Sequence, residues 1–503
     1  MEEKEMETDI TLLTMEIRNV SVVTVNTSEK DSDPVSNNSG DLSELSEFPE
    51  LSKPPEVENS VDIDPDFIEN KESNEETRGT ECKQNLADNE NAFMDVDVSN
   101  SQESVHSIIL VEKEFPTNLE VAEPQKNISD LEYKWRVRPK LLCSATEEYK
   151  PSTSCEKFTK GCQWSPDGTC LMVASEDFRI RIYELPHELY AENPVPILKS
   201  PLLKPALFVK EGGLIYDSCW YPYMNSWDPA TCCYLTTSQE TPIHLWDAFT
   251  GGLRATYRAY NQVDEVEPAI SVRFIKSGTE IWCGFKGALR KFETDRPGRQ
   301  TENIFLKNDF PNVTGLVSCI RENPIMPGLL AFGTYSKHIG LYQDGPICSF
   351  KTGSGVTQVE FSPCGTKLYS AVRRNNEFFC WDLRNPGVVL WSLEDRAANT
   401  NQRIYFDISS DGSTIVSGGT DGFVRIWEVN EPRENQIEAE ELNPISRIQL
   451  SKDCINGVSL HARLPLLATT SGQRICDEEE KHRDNSVRLW WFGNVGKQFN
   501  TTD

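Results

Sequence analysis

From residue 158 onward, apolar and polar positions alternate in short runs, broken by clusters of Gly, Ser, Asp, Asn and Pro. Alternation over so few residues predicts half-buried β-strands, and the breakers predict tight turns between them. The run SSDGSTIVSGGTDGFVRIWEV at 409–429 shows two such segments flanking a Gly-Thr-Asp-Gly turn, the second carrying Trp427. A fuller unit of strand, small turn, strand, Gly/Ser/Asp turn and aromatic-ended strand recurs seven times. Its closing aromatics are Tyr183, Trp246, Phe292, Tyr342, Trp381, Trp427 and Trp490.

These aromatics are spaced 63, 46, 50, 39, 46 and 63 residues apart. Most gaps lie near the roughly 40–45 residues of a WD repeat, and the longer ones contain evident loop insertions. One three-stranded unit is not stable alone, whereas radial stacking buries both of its faces and leaves short, protected edges. The expected fold is all-β, a seven-bladed WD-repeat β-propeller. After Trp491 and Phe492 only GNVGKQFNTTD remains, so the last blade lacks a convincing outer strand at its own end. The stretch KWRVRPKLLCSATEE ahead of the first unit contains a candidate, and a strand near 140–147 is predicted to close the ring. The expected domains are a propeller over 131–492, a short C-terminal tail over 493–503 and an N-terminal tail over 1–130.

Charge sets that tail apart. Residues 1–130 hold 33 acidic and 9 basic side chains, net −24, while the rest hold 46 and 41, net −5. Runs such as DLSELSEFPE and NKESNEETRGTE lack the apolar area to offset ordering entropy, so the tail is read as disordered. Ser101-Gln102 is a dipeptide that DNA-damage kinases prefer, which makes Ser101 a candidate phosphorylation site. The acidic first residues do not resemble a targeting peptide, and no apolar run approaches the roughly 20 residues that span a bilayer. The fifteen cysteines form no CxxC pair and sit mostly in strand-like runs, as buried reduced thiols do.

Catalysis finds little support. The six histidines form no metal-binding spacing, and no GxSxG, Walker or GxGxxG motif occurs. Neither a cofactor nor a metal is expected. The Asp-Gly pairs recur at the turns of different blades, which fits hairpin geometry better than phosphate or calcium binding. Asp177 and Asp421 precede third strands, where an Asp ties strands together. Trp246, Trp381, Trp427 and Trp490 end third strands, where packing between blades is the ordinary role of a large aromatic.

The turns between second and third strands gather on one face. They read SEDFR, SQETP and GTDGF in blades one, two and six, but FKGAL, YSKHI and RRNNE in blades three, four and five. Lys286, Lys337, His338, Arg373 and Arg374 therefore fall on three consecutive blades. Lys307 and Lys351 are expected in entering loops of the same arc, and Arg403 beside it. A basic arc on a nearly neutral domain fits a polyanion, with Asn375, Asn376 and Tyr335 as candidates for reading bases. Scattered surface cations would give the same sequence.

Several stretches go beyond a generic WD repeat: FTKGCQWSPDGTC, RIYELPHELY, IYDSCWYP, PIHLWDAFTGGLRATYRAYN, FCWDLR, LWSLEDRAANTNQRIYFD, CINGVSLHARLPLLATTSGQR and VRLWWFG. Over roughly 158–492 the chain resembles the telomerase Cajal body protein family. The resemblance implies a non-enzymatic RNA-binding scaffold that recognises the CAB box of small Cajal body RNAs and telomerase RNA. It implies delivery of these particles to Cajal bodies, support of telomerase at telomeres and a scaffold role in double-strand break repair. The implied partners are telomerase reverse transcriptase, dyskerin and other box H/ACA proteins, coilin and the survival-of-motor-neuron complex, with the cytosolic chaperonin for folding. The implied location is the nucleus (Cajal bodies and telomeres) with a cytoplasmic pool. Without the resemblance, a peptide-binding WD adaptor of a nuclear complex, reading a protein tail over its central channel, stands as the alternative.

Overall fold

The alternating runs form seven antiparallel sheets in the computed structural model, which describes residues 132–150, 156–191, 197–430, 439–474 and 483–494. The expected disordered tail over 1–130 and Ser101 lie outside the described residues. Blade one comprises Thr159–Trp164, Cys170–Ser175, Arg179–Glu184 and Leu207–Lys210, and each following blade repeats that order outward from the centre. The chain is a seven-bladed β-propeller.

Blade seven takes its inner strands from Ile455–Leu460, Leu466–Ser471 and Ser486–Trp491, and its outer strand from Lys140–Ala145. Ala145 pairs with Val487 and Lys140 with Trp491, so the two ends of the ring are joined within one sheet. The lead-in is anchored too: Tyr133 and Trp135 stack 4.5 Å apart, and Trp135 packs on Phe492. Blades two and five each gain a fifth strand, Gly298–Arg299 and Glu440–Leu442, laid parallel along the outer edge.

The core lies in the seams between blades. Seven apolar clusters each join two neighbouring blades, such as Met172, Ile180 and Ile182 of blade one with Trp220 and Tyr234 of blade two. Each of these seams also carries a polar stitch from a first strand. Lys160 donates to the Ile215 carbonyl, Asp217 accepts from the Val272 amide, and Ser271 donates to the Val317 carbonyl. Ser318 donates to Val356, Gln358 to Phe406 and Asn456 to Thr159, while Asp407 accepts from the Leu460 amide. Such bonds satisfy backbone groups that would otherwise be costly to bury. Burial pushes the Asp407 carboxyl up to about 7, against the pull of the two amides it accepts from.

The turn before the third strand sets the geometry of the rim. One residue of that turn has positive φ in blades one to six: Phe178, Glu240, Gly287, Lys337, Arg374 and Gly422. Only glycine takes this region without a steric cost.

Candidate functional site

Blades three to five bring the sequence-predicted cations onto one strip, linked through the backbone. Lys286 bridges to Leu316, and the Gly287 amide donates to the Gly315 carbonyl at 2.7 Å. Tyr335 then donates to Leu316, Thr352 to Lys337, Arg373 to Gly355 and Arg374 to Thr400. The strip thus runs without a break from the blade-three turn to the segment entering blade six.

Among the described residues, Lys286, Lys307, Lys337, Lys351 and Arg374 make no ion pair, and all but the half-buried Lys351 are exposed. Lys351 ends the outer strand Pro346–Lys351 and lies directly opposite His338 in the ladder, so it does not sit in an entering loop as expected. Lys307 stands in the single helical turn Leu306–Asp309. Burial and Lys351 hold the His338 ring below its ordinary value, although its Nδ1 donates to the Ser336 carbonyl at 2.8 Å. The imidazole is therefore neutral near pH 7 and contributes a hydrogen-bonding edge rather than a charge.

Three candidates are committed elsewhere. The Arg373 guanidinium lies over the Tyr335 ring, 4.2 Å from its centroid, so one face of that ring is already covered. Asn376 accepts from the Ala398 amide at 2.9 Å, which fastens the loop entering blade six. Arg403, expected beside the arc, turns into the central channel instead. It donates to the Ser318 carbonyl at 2.7 Å and reaches toward the Tyr216 carbonyl at 3.5 Å, so it ties the blade-six entrance to blades four and two. Buried carbonyls satisfy a guanidinium better there than any partner on the rim. Asn375 stays exposed at the tip.

The channel is a cavity of about 850 Å³ whose wall mixes cations with acids, including Arg273, Arg321, Glu360 and Asp407. Arg321 pairs with Glu360 at 2.6 Å, and Arg273 lies 3.7 Å from Asp217. Among the described residues, no group of three or more His, Cys, Asp or Glu side chains is placed to hold a metal ion. No helix among them is long and apolar enough to cross a membrane.

One acid belongs to the basic strip. Glu377 accepts from the Gly353 amide at 2.9 Å; burial pushes its carboxyl up to about 7, while that amide and Lys337 pull the other way. The opposite holds in blade one. Asp177 receives Arg181 at 2.6 Å, Arg179 at 2.8 Å and the Ser175 hydroxyl. Burial opposes its charge, but these donors prevail and hold the carboxyl at about 2. Asp421 pairs with Arg425 in blade six, and Asp484 with Arg488 in blade seven. The Asp484 pair escaped the sequence reading, yet its signal was there: DFRIRIY, DGFVRIW and DNSVRLW share Asp-x-x-x-Arg ahead of the closing aromatic.

The blade tryptophans are bonded in place. Trp381 Nε1 donates to Ser370, Trp490 to Thr469, Trp246 to Thr236 and Glu211, and Trp427 to the Glu394 carbonyl. Trp381 and Trp427 are fully buried.

The family model described as "WD domain, G-beta repeat" matches residues 153–184 and 401–428. The chain is 41% identical over 386 residues to the Mus musculus protein named Telomerase Cajal body protein 1, covering 72% of this chain and 70% of that protein. It is 42% identical over 385 residues to the Homo sapiens protein of the same name, covering 72% and 68%. A Drosophila melanogaster protein, Telomerase Cajal body protein 1 homolog, is 38% identical over 347 residues, which cover 66% of this chain and 60% of the fly protein.

Proposed function

Because this chain belongs to the telomerase Cajal body protein family, we propose that it is a non-enzymatic RNA-binding scaffold that holds RNA on the arc of blades three to five. The observation that carries this reading is the unbroken strip of Lys286, Lys307, Lys337, Lys351 and Arg374, none engaged in an ion pair among the described residues. Exposed cations of this kind gain binding free energy by displacing counterions from phosphate. The ligand we propose is the CAB box loop of small Cajal body RNAs and telomerase RNA, whose unstacked bases suit polar and aromatic neighbours such as Asn375 and Tyr335. By the same reading the protein acts in the nucleus with telomerase reverse transcriptase, dyskerin and the other box H/ACA proteins, coilin and the survival-of-motor-neuron complex. It delivers telomerase RNA to Cajal bodies and telomeres, and a scaffold role in double-strand break repair is part of the proposal, as are a cytoplasmic pool and folding by the cytosolic chaperonin.

A peptide-reading adaptor would use the channel mouth. Arg403 lines the channel, bonded to blade four and reaching toward blade two, which favours the rim as the working surface.

The test replaces Lys286, Lys337, Lys351 and Arg374 with Ala and measures affinity for a loop-bearing RNA against salt. At about 0.1 M salt the loss should reach two to three orders of magnitude, and the salt slope should fall by about 0.7 for each phosphate left without its cation. A control removing rim residues of blades one and two, Glu240 among them, should bind as the parent does. Equal loss in both variants, or in neither, would place the RNA elsewhere.

A further inference from the structure

We propose that the turn of blade three is a phosphate site, in which Lys286 and the buried Arg290 receive one phosphate group between them. That the phosphate belongs to an RNA backbone rests on the reading above; the site itself stands on a comparison between blades.

Arg181, Arg425 and Arg488 each stand third in the third strand of their blade, Arg179–Glu184, Phe423–Glu428 and Ser486–Trp491. The Asp four residues earlier grips both prongs of each guanidinium. Nη1 and Nη2 lie 3.1 and 2.6 Å from Asp177, 3.0 and 2.7 Å from Asp421, and 2.9 and 2.6 Å from Asp484. Arg290 holds the same third place in Ala288–Glu293 of blade three and is only 3% exposed. Four residues before it stands Lys286, which precedes the left-handed Gly287 as Asp177 precedes Phe178 and Asp421 precedes Gly422. A cation thus occupies the place of the carboxylate.

Arg290 is left with part of its complement. Nη2 donates to Glu267 at 2.6 Å and Nε to Asn303 at 3.3 Å, while the Phe285 ring, its centroid 4.0 Å away, covers one face. The buried Nη1 has no hydrogen-bond partner among the described residues. A charged N–H buried without an acceptor is costly, so an anion that supplies one gains by binding. Glu267 offsets one of the two cations, and the single charge that remains matches one phosphodiester with its two free oxygens. Nothing stands within 4 Å of where a side chain at Gly287 would begin, whereas the Ser451 carbonyl fills that space at Gly422. The blade-three turn is therefore open to a ligand. Lys307 and Lys337 continue the same strip, so a chain of phosphates suits it better than a lone carboxylate.

The experiment compares two substitutions in the full chain. Lys286→Asp restores the acid that the other blades carry, and Lys286→Asn makes an equally favourable turn with Gly287 without the charge. In the absence of RNA, Lys286→Asp should melt about 2 °C above Lys286→Asn, because only the carboxylate forms a charged pair with Arg290. Inorganic phosphate should raise the melting temperature of the parent more than that of Lys286→Asp, whose site is already filled. With a loop-bearing RNA, Lys286→Asn should lower the salt slope by about 0.7 and Lys286→Asp by about 1.4, since the Asp also withdraws Arg290 from phosphate. At Lys337, four residues before Leu341, Asn and Asp should lower the slope alike. Equal melting of the two Lys286 variants would overturn the site. So would a parent and Lys286→Asp that answer phosphate alike, if Asp also exceeds Asn in RNA slope no further at 286 than at 337. A response to free phosphate lost in Lys286→Asp, with RNA binding unchanged in every variant, would keep the site and sink the RNA reading. An excess loss of RNA slope in Lys286→Asp without a response to free phosphate would assign the site to RNA alone.

Discussion

The turn ahead of the third strand places an Asp four residues before an Arg in blades one, six and seven. In blades three, four and five the same turn has no such acid, and Lys286, Lys337 and Arg374 stand exposed there. The first group uses its guanidiniums to hold the turn and the third strand together, so their charge is neutralised within the fold. The second group shares the left-handed turn residue seen at Phe178 and Gly422, here Gly287, Lys337 or Arg374, but has no such ion pair behind it and leaves the charge outside. Pairing, as well as number, decides which rim attracts an anion.

Removing the acid of the first group should produce the largest effect on stability. Asp177→Ala leaves Arg181 buried with the Tyr149 ring and the Ser175 hydroxyl as its remaining partners. Loss of one partner of a buried pair costs about 3–5 kcal/mol, whereas Lys337→Ala on the open rim should stay within about 0.5 kcal/mol. Urea unfolding of both variants measures the contrast. Similar losses would break the comparison.

The two rim acids should respond oppositely to pH. Glu377 is held up at about 7, above its unfolded value, so the folded state binds its proton more tightly. Its contribution is complete below about pH 4.5 and declines as pH rises to 7, by up to about 1 kcal/mol per unit. Asp177 is held down at about 2, so its contribution is present above about pH 4 and declines as pH falls toward 2. Glu377→Gln should therefore flatten the stability profile between pH 5 and 7 and leave the acid limb unchanged. A profile that Glu377→Gln does not alter would show that the strip's acid is not uncomfortable there.

The smallest effect concerns the left-handed position. Lys337 holds φ 67°, where glycine is at ease. Lys337→Gly should gain up to about 1 kcal/mol while weakening RNA binding, which would separate the residue's charge from its place in the turn. Gly422→Ala, at φ 79° with the Ser451 carbonyl against the added carbon, should lose stability. If both changes lower the melting temperature alike, the turn is not strained at Lys337.

Periodicity made the blades readable, because each strand is short, alternates and ends beside a turn residue that only a few side chains tolerate. The motifs at 158–492 made the family readable. The candidate surface was readable in part. Its cations lie at turn positions, which the strand count places on one face, but their partners do not follow from spacing. Arg403 looked like another rim cation because sequence neighbours say nothing about a channel between blades. Asn376 looked open because its acceptor role depends on the Ala398 amide, twenty-two residues on.

Alternation along the chain was sufficient for the strands, the seven repeats and the contrast between an acidic segment and a nearly neutral ring, since each is a property of residues near one another in sequence. The stitches between blades, the register in which Lys140–Ala145 pairs with the third strand of blade seven and the pairing state of every rim cation required the ring itself. Polar residues such as Gln358 and Asp407 read as outward positions of a strand until a neighbouring blade supplies the backbone group they bond. Hydrogen bonds and ion pairs reach only a few ångströms, and the partners within that reach come from residues dozens of positions away.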